Sequence, residues 1–349
     1  MNPFAQFTAL ALSVLLAVGA QAQPQTLPAL GADPTQTSVS GLSSGAYMAV
    51  QLQVAYSKDI VGAGIVAGGP YYCSANNFGM GFVNQWFSIA ATTICMGQSR
   101  LLTPQPSIQA GYARRFAQSG LIDPLSQLAT RRLYVFSGGQ DELVRTAAVK
   151  ATVAFFGLVG VKPENMRYRN HPEAGHAVIT PGAINDCPVN ASPYISHCGD
   201  YDQAREMLEH IYAAPLNPPS QQPAGRIVEF DQQEFARRAP SMADTGYLYV
   251  PPSCSASGSS CKVHVALHGC MQSAESVGDR FYRGAGYNRW ADSNQMLVLY
   301  PQVNQASQPD NPLGCWDWQG YTGSHYADKS APQMKAIMQM VTRLSQARH

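Results

Sequence analysis

A strand that turns sharply into a helix through a serine flanked by glycines restricts this chain more than any other feature. Thr35–Val39 reads as a short β-branched strand, Gly41-Leu42-Ser43-Ser44-Gly45 as a tight turn, and Ala46–Tyr56 as an apolar helix. A turn of this kind forces its central residue into a strained backbone shape that lifts the side chain off the end of the sheet, while the glycines leave room for neighbouring backbone. The pentapeptide alone is a weak signal, because a Gly/Ser loop produces it by chance as an ordinary turn. Its place between strand and helix favours Ser43 as a nucleophile. Ser44, the next residue, would offer its backbone N–H to an oxyanion.

The rest of the chain alternates strands and helices, the pattern of a mostly parallel sheet covered on both faces. Strands are expected at Ile60–Val66, Arg132–Phe136, Met166–Arg169, Lys262–Leu267 and Met296–Tyr300, with further β-rich segments at Ile227–Phe230 and Gly246–Val250. Helices are expected at Arg145–Leu158, Gly286–Ser293 and Ala331–Gln346, a loop over Gly68–Gly81, and a connector over Pro215–Pro223. No internal repeat interrupts the pattern.

A serine hydroxyl is a poor nucleophile until a base takes its proton, so a histidine and an orienting acid are required. Asp141 follows the strand Arg132–Phe136 through Ser137-Gly-Gly-Gln, and His176 lies in Glu173-Ala-Gly-His-Ala177 after the next strand. Nucleophile, acid, base is the chain order of α/β-hydrolases. Each assignment has a rival. Asp141 also suits a helix cap ahead of Leu143, Glu142 is an adjacent carboxylate, and His171 could serve as the base although Pro172 follows it. His197 and His210 read as surface or cap residues.

An oxyanion hole contributes roughly 3–4 kcal/mol per donor to acyl transfer. In most α/β-hydrolases an apolar strand ending in His-Gly precedes the nucleophile and supplies one donor. Here Val263-His-Val-Ala-Leu-His-Gly-Cys270 has that shape but comes far downstream of Ser43. The inversion makes sense if the fold is circularly permuted, with the C-terminal helix feeding into the strand at Thr35. The bland alternative is that His268-Gly269 is a strand-end turn.

The first residues, MNPFAQFTALALSVLLAVGAQAQ, hold a short apolar stretch followed by Ala20-Gln21-Ala22 and read as an export signal over residues 1–22, although the leading segment lacks Lys and Arg. Residues 23–349 are then expected to form one catalytic domain in a secreted protein, extracellular or periplasmic. Eight cysteines behind an export signal point to disulfides, and the lack of a CxxC pair weakens a zinc reading. Their connectivity is open in the sequence; pairing nearest neighbours would give 73–95, 187–198, 254–261 and 270–315. With 45% apolar and 13% charged residues, the chain can bury a large core. A net charge of +1 without basic runs argues against nucleic acid or a membrane surface as partner.

Several segments carry a family resemblance: SVSGLSSGAYMAVQ (Ser38–Gln51), HVALHGCMQ (His264–Gln272), AGYNRWAD (Ala285–Asp292), VLYPQ (Val298–Gln302) and GCWDWQGYTG (Gly314–Gly323). Together they resemble the extracellular short-chain-length polyhydroxyalkanoate depolymerases, in particular the poly(3-hydroxybutyrate) depolymerases with the type 2 catalytic domain. The resemblance covers most of the chain after residue 22. It implies a single-domain, circularly permuted α/β-hydrolase with Ser43 as nucleophile, Asp141 as acid and His176 as base. It also implies oxyanion donors at the Ser44 and Cys270 amides, a crevice lined by Trp316 or Trp318, and a Cys270–Cys315 disulfide. The substrate implied is a polyester or oligoester, with no cofactor and no metal.

Similar sequences act on other polymers, so a feruloyl or acetyl-xylan ester and poly(aspartic acid) are alternative substrates of the same triad. A non-catalytic surface-binding module, with Trp316, Trp318 and tyrosines stacking on ligand, is the alternative outside enzymes.

Overall fold

Eight strands lie side by side in one sheet, and the computed structural model describes them within residues 25–76, 91–99, 101–256, 258–307 and 309–348. The expected signal segment, residues 1–22, lies outside the described residues, as do residues 77–81 of the expected loop. In chain order the strands of this sheet are β1 Thr37–Leu42, β2 Ile60–Val66, β3 Arg132–Gly138 and β4 Met166–His171, then β8 Arg226–Asp231, β9 Thr245–Val250, β10 Lys262–Leu267 and β11 Met296–Tyr300. Between the two sets, β5 Val178–Ile179, β6 Asn185–Asp186 and β7 Ile195–His197 form a small three-stranded sheet of their own.

Across the large sheet the order is β4-β3-β2-β1-β10-β11-β9-β8. The six strands from β4 to β11 run parallel, and β9 and β8 are added antiparallel at one edge. The inner strands are buried on both faces and are correspondingly apolar or small throughout, as in IVGAGIV of β2.

Wrapping the chain from its C-terminal end back to β1 and counting from β8 turns the order into 1-2-4-3-5-6-7-8, laid down edge to edge with one transposition. The two ends of the described chain also touch. The amides of Leu30 and Ala32 bond the Leu344 carbonyl, and Gly31 bonds that of Gln346. This is the circular permutation expected from the inverted chain order.

Helices cover both faces of the sheet. All twelve residues of α1, Ser44–Ala55, are buried, as expected of a helix apolar on every side. Its two glutamines find backbone acceptors: Gln51 bonds the carbonyls of Asp317 and Tyr326, and Gln53 that of Ile60. Two further helices, α2 (Pro106–Gln118) and α3 (Thr146–Leu158), pack against each other, and Thr152 of α3 bonds the Gly68 carbonyl just beyond β2. On the opposite face, Met207 and Ile211 of α4 (Gln203–Tyr212) sit over Gly64 and Gly62, and Tyr287 of α5 (Tyr287–Ser293) bonds Ser40. The last helix, α6 (Pro332–Ser345), buries Met334, Ile337, Met340, Val341 and Leu344 as one stripe.

Element boundaries differ from the sequence reading mainly at the serine turn. β1 continues to Leu42 and α1 begins at Ser44, so the elbow is a single residue wide, while Pro34–Gln36 is a short helical turn outside the strand. The segment expected as loop after Gly68 contains a helical turn, Cys73–Asn76.

Four disulfides are formed, Cys73–Cys95, Cys187–Cys198, Cys254–Cys261 and Cys270–Cys315, which is the nearest-neighbour pairing. No helix of the described residues is long and apolar enough to cross a membrane.

Candidate active site

The sharpest backbone anomaly of the serine turn lies at Ser43 itself, with φ 55° and ψ −122°, a region that non-glycine residues adopt only under external constraint. Two features hold it there. The Ser43 amide bonds the Val66 carbonyl at the end of β2, and its own carbonyl accepts the amides of Ala46 and Tyr47. The turn is also pressed against the end of β10. A side chain on Gly45 would lie 2.4 Å from the Leu267 carbonyl oxygen and 2.5 Å from that of His268. Glycine is therefore required by close approach, and the reason is the neighbouring strand that carries His268-Gly269-Cys270. A Cβ on Gly269 would sit 3.4 Å from the Ser43 Cβ, so the His-Gly turn lies directly beside the serine.

Asp141 follows β3, as expected, and its carboxylate does two jobs. One oxygen accepts the amides of Leu143 and Val144, at 2.9 and 2.8 Å, which stiffens the loop ahead of α3. The other lies 2.8 Å from His176 Nδ1. The capping reading and the catalytic reading of Asp141 therefore describe the same carboxylate. Glu142, its neighbour, is exposed, and His171 packs against Tyr201 at the end of β4. Both side chains of the Asp141–His176 pair are almost fully buried, at 0% and 3% exposure. Among the described residues nothing hydrogen-bonds His176 Nε2, the nitrogen a general base would use.

Asn190 was not visible as a site residue in the sequence. Its side-chain oxygen accepts the backbone amides of both His176 and Glu142, and its NH2 donates to the carbonyls of Gln140 and Pro188. One side chain thus ties the acid loop to the base loop. It projects from a segment closed by Cys187–Cys198. His210 departs from its surface reading: it is buried and bonds the Asn165 carbonyl.

The amides of Ser44 and Cys270 have no backbone acceptor among the described residues. Ser44 opens α1, where the helix N-terminus favours negative charge. On the Cys270 side, His268 is buried and its pKa is pushed down to about 4 by loss of solvent. Its Nε2 accepts the Val303 amide, so the proton sits on Nδ1, which donates to the Gly269 carbonyl at 2.7 Å. The disulfide to Cys315 anchors the same turn.

Trp316 and Trp318 are buried where an open crevice wall was expected. Trp316 has no exposed surface and packs beside the His268 ring, while Trp318 is 5% exposed and stacks on Tyr47. The loop carrying them is wound around the Asp317 carboxylate, which accepts the amides of Gln319, Gly320, Tyr321 and Thr322. Among the described residues, the large apolar side chains left exposed beside the Cys270–Cys315 bridge are Met271 and Leu313, joined by a backbone hydrogen bond.

Among the described residues one group, His171, Cys187 and Cys198, has metal-type donor atoms within 4.8 Å of one another. Both sulfurs are joined as a disulfide, so the thiolates a metal would need are not present.

No protein-family model matches the chain. It is 40% identical over 339 residues to a poly(3-hydroxybutyrate) depolymerase of Delftia acidovorans, covering 96% of this chain and 65% of that protein. The chain thus spans about two thirds of that relative. It is 36% identical to a polyhydroxybutyrate depolymerase of Talaromyces funiculosus, covering 97% of this chain and 98% of the relative. The crystal structure of the PHB depolymerase from Penicillium funiculosum superposes with a TM-score of 0.82 at 35% identity, covering 92% of this chain and 99% of that one. A PHB depolymerase carrying a serine-to-alanine substitution, in complex with an R3HB trimer, superposes equally well, at 34% identity over the same shares.

Proposed function

The chain belongs to the poly(3-hydroxybutyrate) depolymerase family, and from that premise we propose that it is a secreted serine esterase cleaving poly(3-hydroxybutyrate) or its oligomers through an acyl-enzyme on Ser43. The observation that carries this reading is the buried pair of Asp141 and His176, 2.8 Å apart. It comes with a strained serine packed against the turn that ends in Cys270.

In this reading His176 takes the Ser43 proton through Nε2 as the hydroxyl attacks the ester carbonyl carbon. Asp141 holds the imidazole by Nδ1 and stabilises the cation that forms. The tetrahedral oxyanion rests on the Ser44 and Cys270 amides, preorganised in a site where charge is poorly screened. Collapse breaks the C–O bond, and the leaving hydroxyl end takes its proton from His176. Water then repeats the sequence on the acyl-enzyme and frees the carboxylic acid and Ser43. Every proton is accounted for by these residues and water, so the scheme calls on no cofactor.

Met271 and Leu313 would give the site mouth an apolar rim for a polyester chain. Trp316 and Trp318 would support the crevice from beneath. Cleavage after an export signal over residues 1–22 would deliver residues 23–349 as one catalytic domain, and four disulfides fit an oxidising compartment. The relatives favour polyester over feruloyl esters or poly(aspartic acid) as substrate class. The deciding experiment is product release from amorphous poly(3-hydroxybutyrate) by the wild type and by Ser43→Ala. Loss of release in the variant supports the proposal, and substantial activity in the variant ends it.

A further inference from the structure

We propose that Gln272 is a positioning residue that sets the direction of the Cys270 amide and couples it to the loop bearing the catalytic base. The inference rests on the reading of Ser43, His176 and the Cys270 amide given above, and it adds a residue that never meets the substrate.

Gln272 is completely buried. Its Oε1 accepts the Gly269 amide at 2.7 Å, and its Nε2 donates to the carbonyls of Pro193 and Tyr194 at 2.8 and 3.2 Å. All three bonds go to backbone, and together they use both N–H donors and the carbonyl of the side chain. A methionine would fill the same volume without the cost of burying a primary amide. The polar group at this position therefore points to orientation rather than packing.

What it orients follows from peptide geometry. The Gly269–Cys270 peptide is planar and trans, so the Cys270 N–H points opposite to the Gly269 carbonyl. That carbonyl is held by His268 Nδ1–H. The Gly269 amide, one residue earlier along the backbone, is held by Gln272. With Gly269 fixed at both its N–H and its C=O, the following peptide plane cannot rotate, and the Cys270 N–H keeps one direction beside Ser43. Either bond alone fixes only one side of Gly269.

The far end of Gln272 reaches the opposite wall. Tyr194, whose carbonyl it holds, sets its ring edge-on against His176, with centroids 5.9 Å apart. The same stretch of chain carries Asn190, which holds the His176 amide. Donor and base thus share a common brace, and a shift of either is transmitted through one buried side chain.

The test uses Gln272→Met and Gln272→Glu in the full-length protein, assayed on p-nitrophenyl butyrate. Glutamate keeps an acceptor for the Gly269 amide but loses the paired donors to Pro193 and Tyr194. Loss of a buried orienting partner, or misplacement of a reacting group by about 1 Å, costs about 10- to 100-fold in activity. We expect Gln272→Met to lower kcat by that factor with KM changed less than about twofold, because the oxyanion donor acts on the transition state. Affinity for butylboronic acid, whose tetrahedral adduct on Ser43 mimics that state, should fall in parallel with kcat/KM. Gln272→Glu should also lose kcat and boronate affinity, because its carboxylate would be buried against the Pro193 and Tyr194 carbonyls without a donor.

A Gln272→Met enzyme with kcat near wild type would overturn the inference, as would a loss of kcat without loss of boronate affinity. If the methionine variant does not fold, the glutamate variant is judged by the same two measurements. Failure of both to fold would also overturn it, since the residue would then be holding the fold rather than the site. Ser43→Ala separates the two proposals: an inactive Ser43→Ala beside a fully active Gln272→Met rejects only the role of Gln272.

Discussion

The side chain of Asn190 accepts the backbone amide of His176 at 2.8 Å, and the same oxygen accepts the amide of Glu142 at 3.1 Å. The loops that carry the acid and the base therefore close on a single atom. Glycines make this approach possible: a Cβ on Gly138 would meet the Ala174 carbonyl oxygen at 2.3 Å, and one on Gly175 would meet that of Pro188 at 2.6 Å.

Asn190→Ala should lower kcat/KM by about 10- to 100-fold, the usual cost of removing a partner that orients a reacting group. Steady-state hydrolysis of p-nitrophenyl butyrate measures it. Asn190→Asp keeps the shared acceptor while losing the donors to Gln140 and Pro188, and should fall between alanine and wild type. Equal activity in all three would mean that the Asp141–His176 geometry holds without this brace.

Asp141→Asn separates the two jobs of that carboxylate. The amide oxygen can still accept from Leu143 and Val144, so stability should stay within about 1 kcal/mol of wild type, since surrounding packing is unchanged. The amide nitrogen would face His176 Nδ1 with a donor where an acceptor is needed and favour the wrong tautomer, for which a loss of about 10⁴ in kcat is expected. A variant losing stability and activity in proportion would instead assign Asp141 a structural role.

The elbow and the order of strand, Asp141, helix, strand, His176 were legible because each depends on local pattern: a Gly-flanked serine between a β-branched run and an apolar helix, or a carboxylate after a strand end. The permutation was legible from one displaced segment, Val263–Cys270, because chain order is readable without coordinates. Asn190 and Gln272 were not. Each acts by reaching backbone on another loop, and such bonds leave no periodicity or spacing to read. The burial of Trp316 and Trp318 was not legible for a related reason. An aromatic pair looks alike in sequence whether it faces solvent or core.

Two buried histidines make stability depend on pH. His264, between Ser38 and Ser40 under the centre of the sheet, is pushed down to about 3, and His268 to about 4, both by loss of solvent. Unfolded, each would titrate near the ordinary value of about 6.5. Below that pH the unfolded chain binds protons that the native chain refuses, so stability falls as pH drops from about 7 towards 4. Above pH 7 both forms are neutral and the effect vanishes. At pH 5 the two sites together should cost about 4 kcal/mol relative to pH 8. Urea unfolding at pH 8, 7, 6 and 5 measures this, and a free energy that does not change from pH 7 to 5 would contradict the burial of both rings.

Gly45 and Gly111 should respond oppositely to the same substitution. Alanine at Gly45 would place its methyl against two backbone carbonyls of β10 and its following turn, neither of which can rotate away. Relief requires α1 to move off the strand, and overpacking of this kind costs about 1–3 kcal/mol. The displacement also moves Ser43 relative to Cys270, so activity should fall by about 100-fold or more, as for a shift of about 1 Å. Gly111 lies within α2, and a Cβ there meets nothing within 4 Å. Gly111→Ala should stabilise the helix by about 0.5–1 kcal/mol and leave kcat untouched. Thermal unfolding with parallel assays of the two variants checks both signs. A fully active Gly45→Ala enzyme would show that the elbow is not wedged against the His268–Cys270 turn.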